Sequence, residues 1–476
     1  MKKSIVFIGL LAAGLFSSCS SFLEETPQDF LGESNFYQTE KDATIGLNGV
    51  FGIFQSQNYY QRTVWLVSEL PGDLLQNYGT APLVQRAELQ GYTYTDGNSE
   101  ILNWWANSYQ IINRANDLLE KVPAIDMNAD NKNVILGNAH FLRALAYFDL
   151  VRSFGPVPLV LETIKRPSDN LRPSRAPIAD VYKQIIEELK FAEQYCLPED
   201  KILATEKGRV STGAASAILA KVYLTRSKTT AAEPGDVQAA LDACNRVINS
   251  NQYALLANYA DIFDCDKENG KEHIFSVQFD LSPNQGNISI QMMYNGVIGT
   301  ATTSSFQASP SLVNSYAAND VRKAWNISTP TNDATARIFS KYRDSRRSGN
   351  DSRMNWLVTR YADILLLQSE ILNTIDAGNA AKFDGINAVR KRAGLDPLDA
   401  TTTPTADAFV DALVQERGWE LCMEGHRRWD LLRMGKLKQV QKAVYNRDID
   451  DKYLLFPVPQ TETSLNANLL PNNDGF

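Results

Sequence analysis

The sequence offers few of the side-chain patterns that catalyse reactions. It contains three histidines, His140, His273 and His426, and no two stand at the HxxxH or HExxH spacing that places zinc ligands on one helix face. It also lacks GxSxG, a phosphate-binding loop and GxGxxG. Two of its 55 acidic residues could form the carboxylate pair of a glycoside hydrolase. With so many acidic residues, however, the presence of a possible pair does not indicate such an enzyme. We therefore expect a binding protein with no cofactor, no metal centre and no catalytic residue.

A stretch rich in tyrosine, tryptophan and polar side chains, from Tyr59 to Trp105, favours a ligand surface. A sugar ring has a flat C–H face and a rim of hydroxyl groups, which match an aromatic ring flanked by amide or charged groups. The candidate ligand-binding residues of this stretch are Asp73, Asn77, Tyr78, Arg86, Tyr92, Tyr94 and Trp104. Two other interpretations compete: Trp104 could pack in the core at a helix start, and Asp73 could pair with Arg86.

The densest charged segment is residues 415–433. Glu416, Glu420 and Glu424 follow one another at intervals of four, which places them on one face of a predicted helix, and Arg427 and Arg428 come soon after. This spacing is typical of ion pairs within a helix or with a neighbouring helix. An acid/base or anion-binding site is the alternative.

Hydrophobic periodicity predicts amphipathic helices over residues 103–122, 134–154 and 177–195. Two helix pairs follow, 212–224 with 236–249 and 361–374 with 380–393, the second closed by Gly394. The pairs recur at intervals at or slightly above the tetratricopeptide period of roughly 34 residues. Each pair has an apolar face that only its neighbours can cover, so stacking is favoured. Residues 57–103 and 281–309 interrupt the helices as long polar loops, so the predicted fold is mainly α with irregular loops.

The N-terminus predicts export. Lys2 and Lys3 precede an apolar run over residues 4–16, then come small residues and Cys19. This order resembles a bacterial lipobox, which implies that Cys19 is lipidated; an ordinary cleaved signal peptide is the alternative. No other run reaches the length that spans a membrane. The net charge of −8 with no basic stripe argues against a nucleic-acid partner.

Five motifs resemble those of the SusD/RagB family of Bacteroidetes outer-membrane lipoproteins. In chain order they are FLRALAYFDLVRSFGPVP at 141–158, RYADILLL at 360–367, VRKRAGL at 389–395, EGHRRWDLLR at 424–433 and LFPVPQ at 455–460. The resemblance covers the chain from end to end. It implies four tetratricopeptide-like helix pairs packed against a less regular half.

The resemblance also implies a function. It implies binding of extracellular oligosaccharides or polysaccharides, and delivery as a lid to a SusC-like TonB-dependent transporter, without catalysis. Glycan-binding members draw contacts from the middle of the chain too, which adds Tyr294 and Asn295 to the candidate ligand-binding residues. Peptide binding on the same scaffold and a lipoprotein glycosidase are the alternatives, and a structural calcium ion is compatible with the loops.

The predicted organisation follows from these features. Residues 1–18 form a lipoprotein signal peptide, 19–32 a lipidated tether and 33–476 a single SusD-like domain. Within that domain, about 33–230 is an N-terminal part with helical repeats and about 270–476 a C-terminal part. We expect the protein to be lipid-anchored in the outer membrane and to face outward.

Overall fold

Several helices of the N-terminal half begin at a residue whose side chain caps them. The computed structural model describes residues 36–78, 82–164, 172–280, 306–330, 333–344 and 352–476. Thr39 and Asp42 form a capping box at the first helix, and the side chain of Asn98 accepts hydrogen bonds from two backbone N–H groups at the fourth. The helices of this half are α1 Glu40–Phe54, α2 Thr63–Ser68, α3 Val84–Gly91, α4 Ser99–Lys121, α5 Ala129–Phe154, α6 Ile178–Tyr195, α7 Thr212–Arg226 and α8 Asp236–Asn249.

The C-terminal half has shorter helices and most of the strands. Gly394, in a left-handed conformation (φ 81°), ends one helix as expected. The helices are α9 Pro310–Ser315, α10 Arg322–Asn326, α11 Tyr361–Ile375, α12 Lys382–Ala393, α13 Ala406–Glu420, α14 Arg427–Arg433, α15 Leu437–Tyr445 and α16 Gln460–Leu465. The strands among the described residues of both halves are β1 Leu75–Asn77, β2 His273–Val277, β3 Phe306–Ala308, β4 Ile327–Ser328, β5 Ile338–Phe339 and β6 Trp356–Arg360.

Eight of the described helices stack in a continuous series. The order of the series is α1, α4, α5, α6, α7, α8, α11 and α12. Each helix contacts the next, so the apolar face of one pair is covered by its neighbours. The predicted mainly helical fold with stacked helix pairs is confirmed. Helix α5 is apolar and long enough to cross a membrane, but it is mostly buried between other helices of this stack.

The strands form three small antiparallel sheets, β1 with β3, β2 with β6, and β4 with β5. They connect segments that are far apart in sequence, since β1 ends at Asn77 and β3 begins at Phe306. The prediction that residues 57–103 form a long loop is wrong, because this stretch holds α2, β1, α3 and the start of α4. Burial of its apolar side chains, such as Val64 and Leu66, organises it.

The C-terminal tail packs against the helical stack. The backbone N–H of Phe456 donates to the carbonyl of Ser153 at 2.8 Å, and the amide of Asn473 donates to the carbonyl of Phe154 at 3.0 Å. The ring of the last residue, Phe476, stacks on Tyr94. The end of the chain therefore covers the segment before α4 and the end of α5.

Helices α11 and α12 approach so closely that one position tolerates only glycine. A Cβ atom on Gly385 would lie 2.3 Å from the carbonyl oxygen of Leu365 and 2.8 Å from Oγ of Ser369. We expect Gly385→Ala to lower the free energy of unfolding by about 1–3 kcal/mol, because the two helices must move apart. Gly52→Ala in α1 is the matched control: its Cβ would meet nothing within 4 Å, so it should stabilise by about 0.5–1 kcal/mol. Urea denaturation of both variants tests this, and equal effects would contradict the close packing.

Candidate ligand-binding site

The pairing of two short strands brings one stretch of predicted ligand-binding residues, Tyr59 to Trp105, against β3 from the middle of the chain. In the antiparallel register of β1 and β3, Asn77 faces Phe306 and Gln76 faces Gln307. Asn77 is exposed and Tyr78 half-buried, directly after the strand. The structure thus places two of the predicted residues, Asn77 and Tyr78, at the end of β1, across from the start of β3.

Tyr78 contacts a carboxylate that sequence reasoning missed. Its hydroxyl donates to Oδ2 of Asp333 at 3.1 Å, across 255 residues of sequence. The other oxygen, Oδ1, accepts hydrogen bonds from the backbone N–H and hydroxyl of Thr335 at 2.9 and 2.6 Å. The Thr335 hydroxyl is the largest cause of the lowered pKa of Asp333, so this carboxylate is charged at neutral pH. Partial burial and the same carboxylate raise the pKa of Tyr78, which keeps its hydroxyl protonated.

Two further polar side chains border Tyr78 and Asp333. The Oε1 atom of Gln307 accepts the backbone N–H of Arg337 at 2.8 Å, and the N–H of Ala308 donates to the carbonyl of Arg337 at 2.7 Å. Arg337 is half-buried, and its Nη1 donates to two carbonyls of its own turn. We call the surface formed by Asn77, Tyr78, Gln307, Asp333 and Arg337 the β1–β3 rim. It offers an aromatic ring, two amides, a carboxylate and a guanidinium, the groups that a hydroxyl-rich ligand requires.

The three other aromatic candidates are core residues, and their prediction as ligand contacts is wrong for this conformation. Tyr92 is 4% exposed and donates to the carbonyl of Pro71. Tyr94 is 1% exposed, donates to the carbonyl of Tyr453 at 3.0 Å, and is covered by the C-terminal tail. Trp104 is fully buried and stacks on Tyr59 at 4.5 Å, as its competing interpretation held. Burial of these rings stabilises the fold and leaves no face for a ligand.

Asp73 and Arg86 are also structural, and they do not pair with each other. Asp73 receives two hydrogen bonds from the guanidinium of Arg427, at 2.6 and 2.8 Å, and is 8% exposed. Arg86, 9% exposed, lies 3.5 Å from Glu100. Both charged side chains are already paired, Asp73 with Arg427 and Arg86 with Glu100, so the prediction that they bind ligand hydroxyls is wrong.

Three predicted residues lie outside the residues that the structure describes. They are Tyr294 and Asn295, predicted for the ligand site, and Cys19, the predicted lipidation site. No disulfide joins the cysteines of the described part, which are Cys196, Cys244, Cys265 and Cys422.

One group of potential metal ligands is present in the described ranges, and cations already surround it. Oxygen and sulfur atoms of Asp264, Cys265 and Asp266 lie within 4.8 Å of one another. Lys267 pairs with Asp264 at 3.4 Å, and Arg353 donates to Sγ of Cys265 at 2.7 Å. The compatibility of the loops with calcium therefore stays a prediction.

The charged segment at 415–433 forms a buried ion network. The guanidinium of Arg360 contacts the carboxylates of Glu272 at 2.7 Å, Glu420 at 2.6 Å and Glu424 at 2.7 Å, and all four side chains are fully buried. Arg322 contacts Glu416 at 2.6 Å and Glu420 at 2.9 Å. The members are five cations, Arg322, Lys341, Arg360, Arg390 and Arg392, and five carboxylates, Asp320, Glu272, Glu416, Glu420 and Glu424. We name this set the acidic-helix network.

The interpretation of this segment as ion pairs is supported, with one correction. Residues 415–433 are not one helix: α13 ends at Glu420, and a turn with positive φ at Met423 (60°) and Gly425 (83°) precedes α14. Glu424 therefore lies in the turn, and Arg427 and Arg428 point to Asp73 and to backbone carbonyls instead of to Glu424. Charge is balanced and each carboxylate is matched, as a structural role requires.

The turn before α14 is held by an acidic side chain from the N-terminal half. Oε1 of Glu69 accepts the backbone N–H groups of Gly425 and His426 at 2.8 and 3.1 Å. Its Oε2 finds no hydrogen-bond partner among the described residues. Complete burial raises the pKa of Glu69 to about 7, so the carboxyl is largely protonated below neutral pH.

Sequence profiles of two families match the chain. The SusD family profile covers residues 325–476, and that of a family described as starch-binding and associating with the outer membrane covers residues 22–224. Together they span most of the sequence, and the chain belongs to the SusD/RagB family, as its motifs indicated. Among curated relatives, SusD-like protein P2 of Formosa agariphila is 28% identical, and the alignment covers 100% of each chain.

Solved structures have the same fold. A SusD superfamily protein from Parabacteroides distasonis superposes with a TM-score of 0.80 at 26% identity, covering 92% of this chain and 99% of the other. A laminarin binding SusD-like protein gives a TM-score of 0.79 at 25% identity, covering 92% of this chain and all of its own.

Removing one cation from the acidic-helix network should destabilise the protein strongly. Arg360→Met leaves the carboxylates of Glu272, Glu420 and Glu424 buried with less compensation, so we expect a loss of about 3–5 kcal/mol in the free energy of unfolding. Lys438→Met, which breaks a pair with exposed Asp451, is the control and should change it by less than about 1 kcal/mol. Chemical denaturation measures both, and similar effects would show that the network contributes no more than surface pairs.

The raised pKa of Glu69 predicts a pH dependence. The folded state holds a proton that the unfolded state releases near pH 4.5, so this contribution to stability is present below pH 4.5 and is lost as pH rises through about 7. Glu69→Gln, which resembles the protonated form, should match the wild type near pH 4.5 and exceed it by about 1–3 kcal/mol at pH 8. Urea denaturation at the two pH values tests this. Exposed Glu187→Gln is the control, and a pH-independent effect of Glu69→Gln would contradict the raised pKa.

Proposed function

We propose that this protein is a lipid-anchored binding protein on the outer face of the outer membrane that captures oligosaccharides or polysaccharides at the β1–β3 rim. The observation that carries the proposal is the convergence of Tyr78 with Asp333 and Arg337 beside the β1–β3 pairing. The similarity to a laminarin binding protein over nearly the whole chain supports a glycan as the ligand. Glycan binding needs no catalytic residue, and the aromatic and polar side chains of the rim can make the contacts it needs.

The half-buried ring of Tyr78 and the polar groups around it have separate tasks in this proposal. The ring covers the C–H face of a sugar, while the amide of exposed Asn77 and the charged groups of Asp333 and Arg337 bind hydroxyls. The hydrogen bond from Tyr78 to Asp333 fixes the ring orientation before the ligand arrives, which lowers the entropy lost on binding.

We further propose that the bound glycan is handed to a SusC-like TonB-dependent transporter on which this protein acts as a lid. Lipidation of Cys19 would hold the protein at the membrane, and several acyl chains together anchor stably. Two exposed apolar side chains, Leu83 (58% exposed) and Val84 (68%), lie at the start of α3, soon after Tyr78 in the chain. They offer an apolar contact for a partner surface close in sequence to the rim.

The glycan proposal is tested by affinity electrophoresis of the protein starting at Ser20, in gels that contain laminarin, starch or other polysaccharides. We expect retardation by at least one glycan and about tenfold weaker binding for Tyr78→Ala, from loss of the ring contact. Tyr78→Phe keeps the ring and should retain most of the affinity.

Tyr195→Ala, a half-buried tyrosine at the end of α6, is the matched control and should bind like the wild type. Retardation that Tyr78→Ala leaves unchanged would place the glycan elsewhere. No retardation by any glycan would contradict carbohydrate binding and direct the search to peptides, the alternative ligand for this scaffold.

A further inference from the structure

A cavity lies between α5, α6, α7 and α14, away from the proposed glycan site, and it shares no described residue with the β1–β3 rim. Its volume is about 410 Å³, within the range of small-molecule sites. Its deep part is lined by Lys221, Arg417, His426 and Asp430, and exposed Lys228 and Thr230 lie at its mouth. The proposed glycan site does not use it.

The charged side chains that line the deep part of the cavity are balanced by ion pairs, some of them with carboxylates behind its wall. Arg417 contacts Asp430 at 2.6 Å and Asp363 at 2.7 Å. Lys221 pairs with Asp363 at 2.5 Å, and Arg433 pairs with Asp430 at 2.9 Å and with Glu370 at 2.7 Å. Three cations therefore face three carboxylates, and these carboxylates are already engaged in ion pairs.

Buried N–H groups remain in the same place without an acceptor. Nη1 of Arg417 and Nε1 of Trp429 have no hydrogen-bond partner among the described residues, nor does Nε of Arg152 at the cavity wall. Arginine and the tryptophan indole can only donate hydrogen bonds. A buried donor without an acceptor has lost its contact with water and gained nothing in return, so each of these groups favours a ligand that supplies oxygen acceptors.

His426 adds a fourth unsatisfied atom, its Nε2. Complete burial is the main cause that lowers the pKa of His426 to about 3, so the ring is neutral at physiological pH. The walls are largely apolar, with Phe148, Val151 and Leu367. The side chain of Arg152 lies between the rings of Phe148 and Trp429, at 4.8 and 4.9 Å from their centroids, which fixes its position.

We propose that this cavity binds a small carboxylate-bearing molecule, with the carboxylate directed at Arg417 Nη1 and Trp429 Nε1 and the remainder of the molecule against the apolar wall. Two carboxylate oxygens match donors that the protein leaves unmatched. The positive charge of Lys228 at the mouth attracts the anion. The proposal involves binding alone and no chemical reaction, so the cavity would be a second binding site.

Isothermal titration calorimetry with matched probes tests the proposal. The probes are D-glucuronate against D-glucose, and benzoate against benzamide, pairs in which only one member carries a carboxylate. We expect at least one carboxylate to bind at least tenfold more tightly than its neutral counterpart. Trp429→Phe, which removes one donor and keeps the packing, should weaken that binding about tenfold, the size of one hydrogen bond to a charged group.

A second test variant and a control variant show whether the carboxylate binds in this cavity. Lys228→Ala changes an exposed side chain and should fold normally, yet it should weaken binding a few-fold and reduce its salt dependence. Trp325→Phe is the matched tryptophan control and should bind like the wild type, since its indole already donates to the carbonyl of Lys341 at 2.9 Å.

The glycan site and this cavity are distinguished by Tyr78→Ala, which should retain carboxylate binding. Equal binding of charged and neutral probes, no binding of either carboxylate at millimolar concentration, or binding that neither Trp429→Phe nor Lys228→Ala weakens would each overturn the proposal. In those cases the unmatched N–H groups would donate hydrogen bonds only to water.

Discussion

The C-terminal half of this protein depends on the contact of three arginines with one carboxylate, Glu420. Arg322 and Arg360 reach it from α10 and β6, and Arg392 reaches it from α12. These groups are fully or almost fully removed from water, at a desolvation cost that only close and complete pairing offsets. Opposite charges so arranged hold the pKa of Glu420 well below its usual range despite burial. The pairing thereby fixes α10, α12, α13 and β6 relative to one another.

The position of the proposed glycan site follows from this network. Arg322 begins α10, which leads directly into β4, and β4 pairs with β5. Asp333, which receives the hydroxyl of Tyr78, lies in the connection between these two strands. On the other side of the rim, Arg427 of α14 holds Asp73, two residues before β1. The segments that carry Tyr78 and Asp333 are distant in sequence, but each is preceded by a residue held in a buried ion pair, which makes a rigid ligand surface possible.

Sequence periodicity predicted the helical stack well and the site only in part. The spacing of apolar side chains located α8 to the residue and most other stacked helices to within a few residues, since burial of one face determines them. Tyr92 and Tyr94 looked exposed because their neighbours are polar. Their burial comes from Tyr453 and Phe476, near the opposite end of the chain, and no local pattern carries that information. Asp333 was missed for the same reason, although its acceptor turn with Thr335 is a local signal.

The roles of the charged residues were the hardest to predict from sequence, and hydrogen-bond satisfaction distinguishes two of them, Arg360 and Arg417. In the acidic-helix network the guanidinium of Arg360 engages three carboxylates and a backbone carbonyl, so it has nothing left to offer a ligand. Arg417, only three residues before Glu420, engages two carboxylates and keeps one nitrogen without an acceptor at a cavity wall. The two arginines belong to the same residue type and are similarly buried, so spacing and composition cannot distinguish them. What differs is the number of acceptors that the fold supplies, and a deficit of acceptors beside a cavity is what a bound anion would correct.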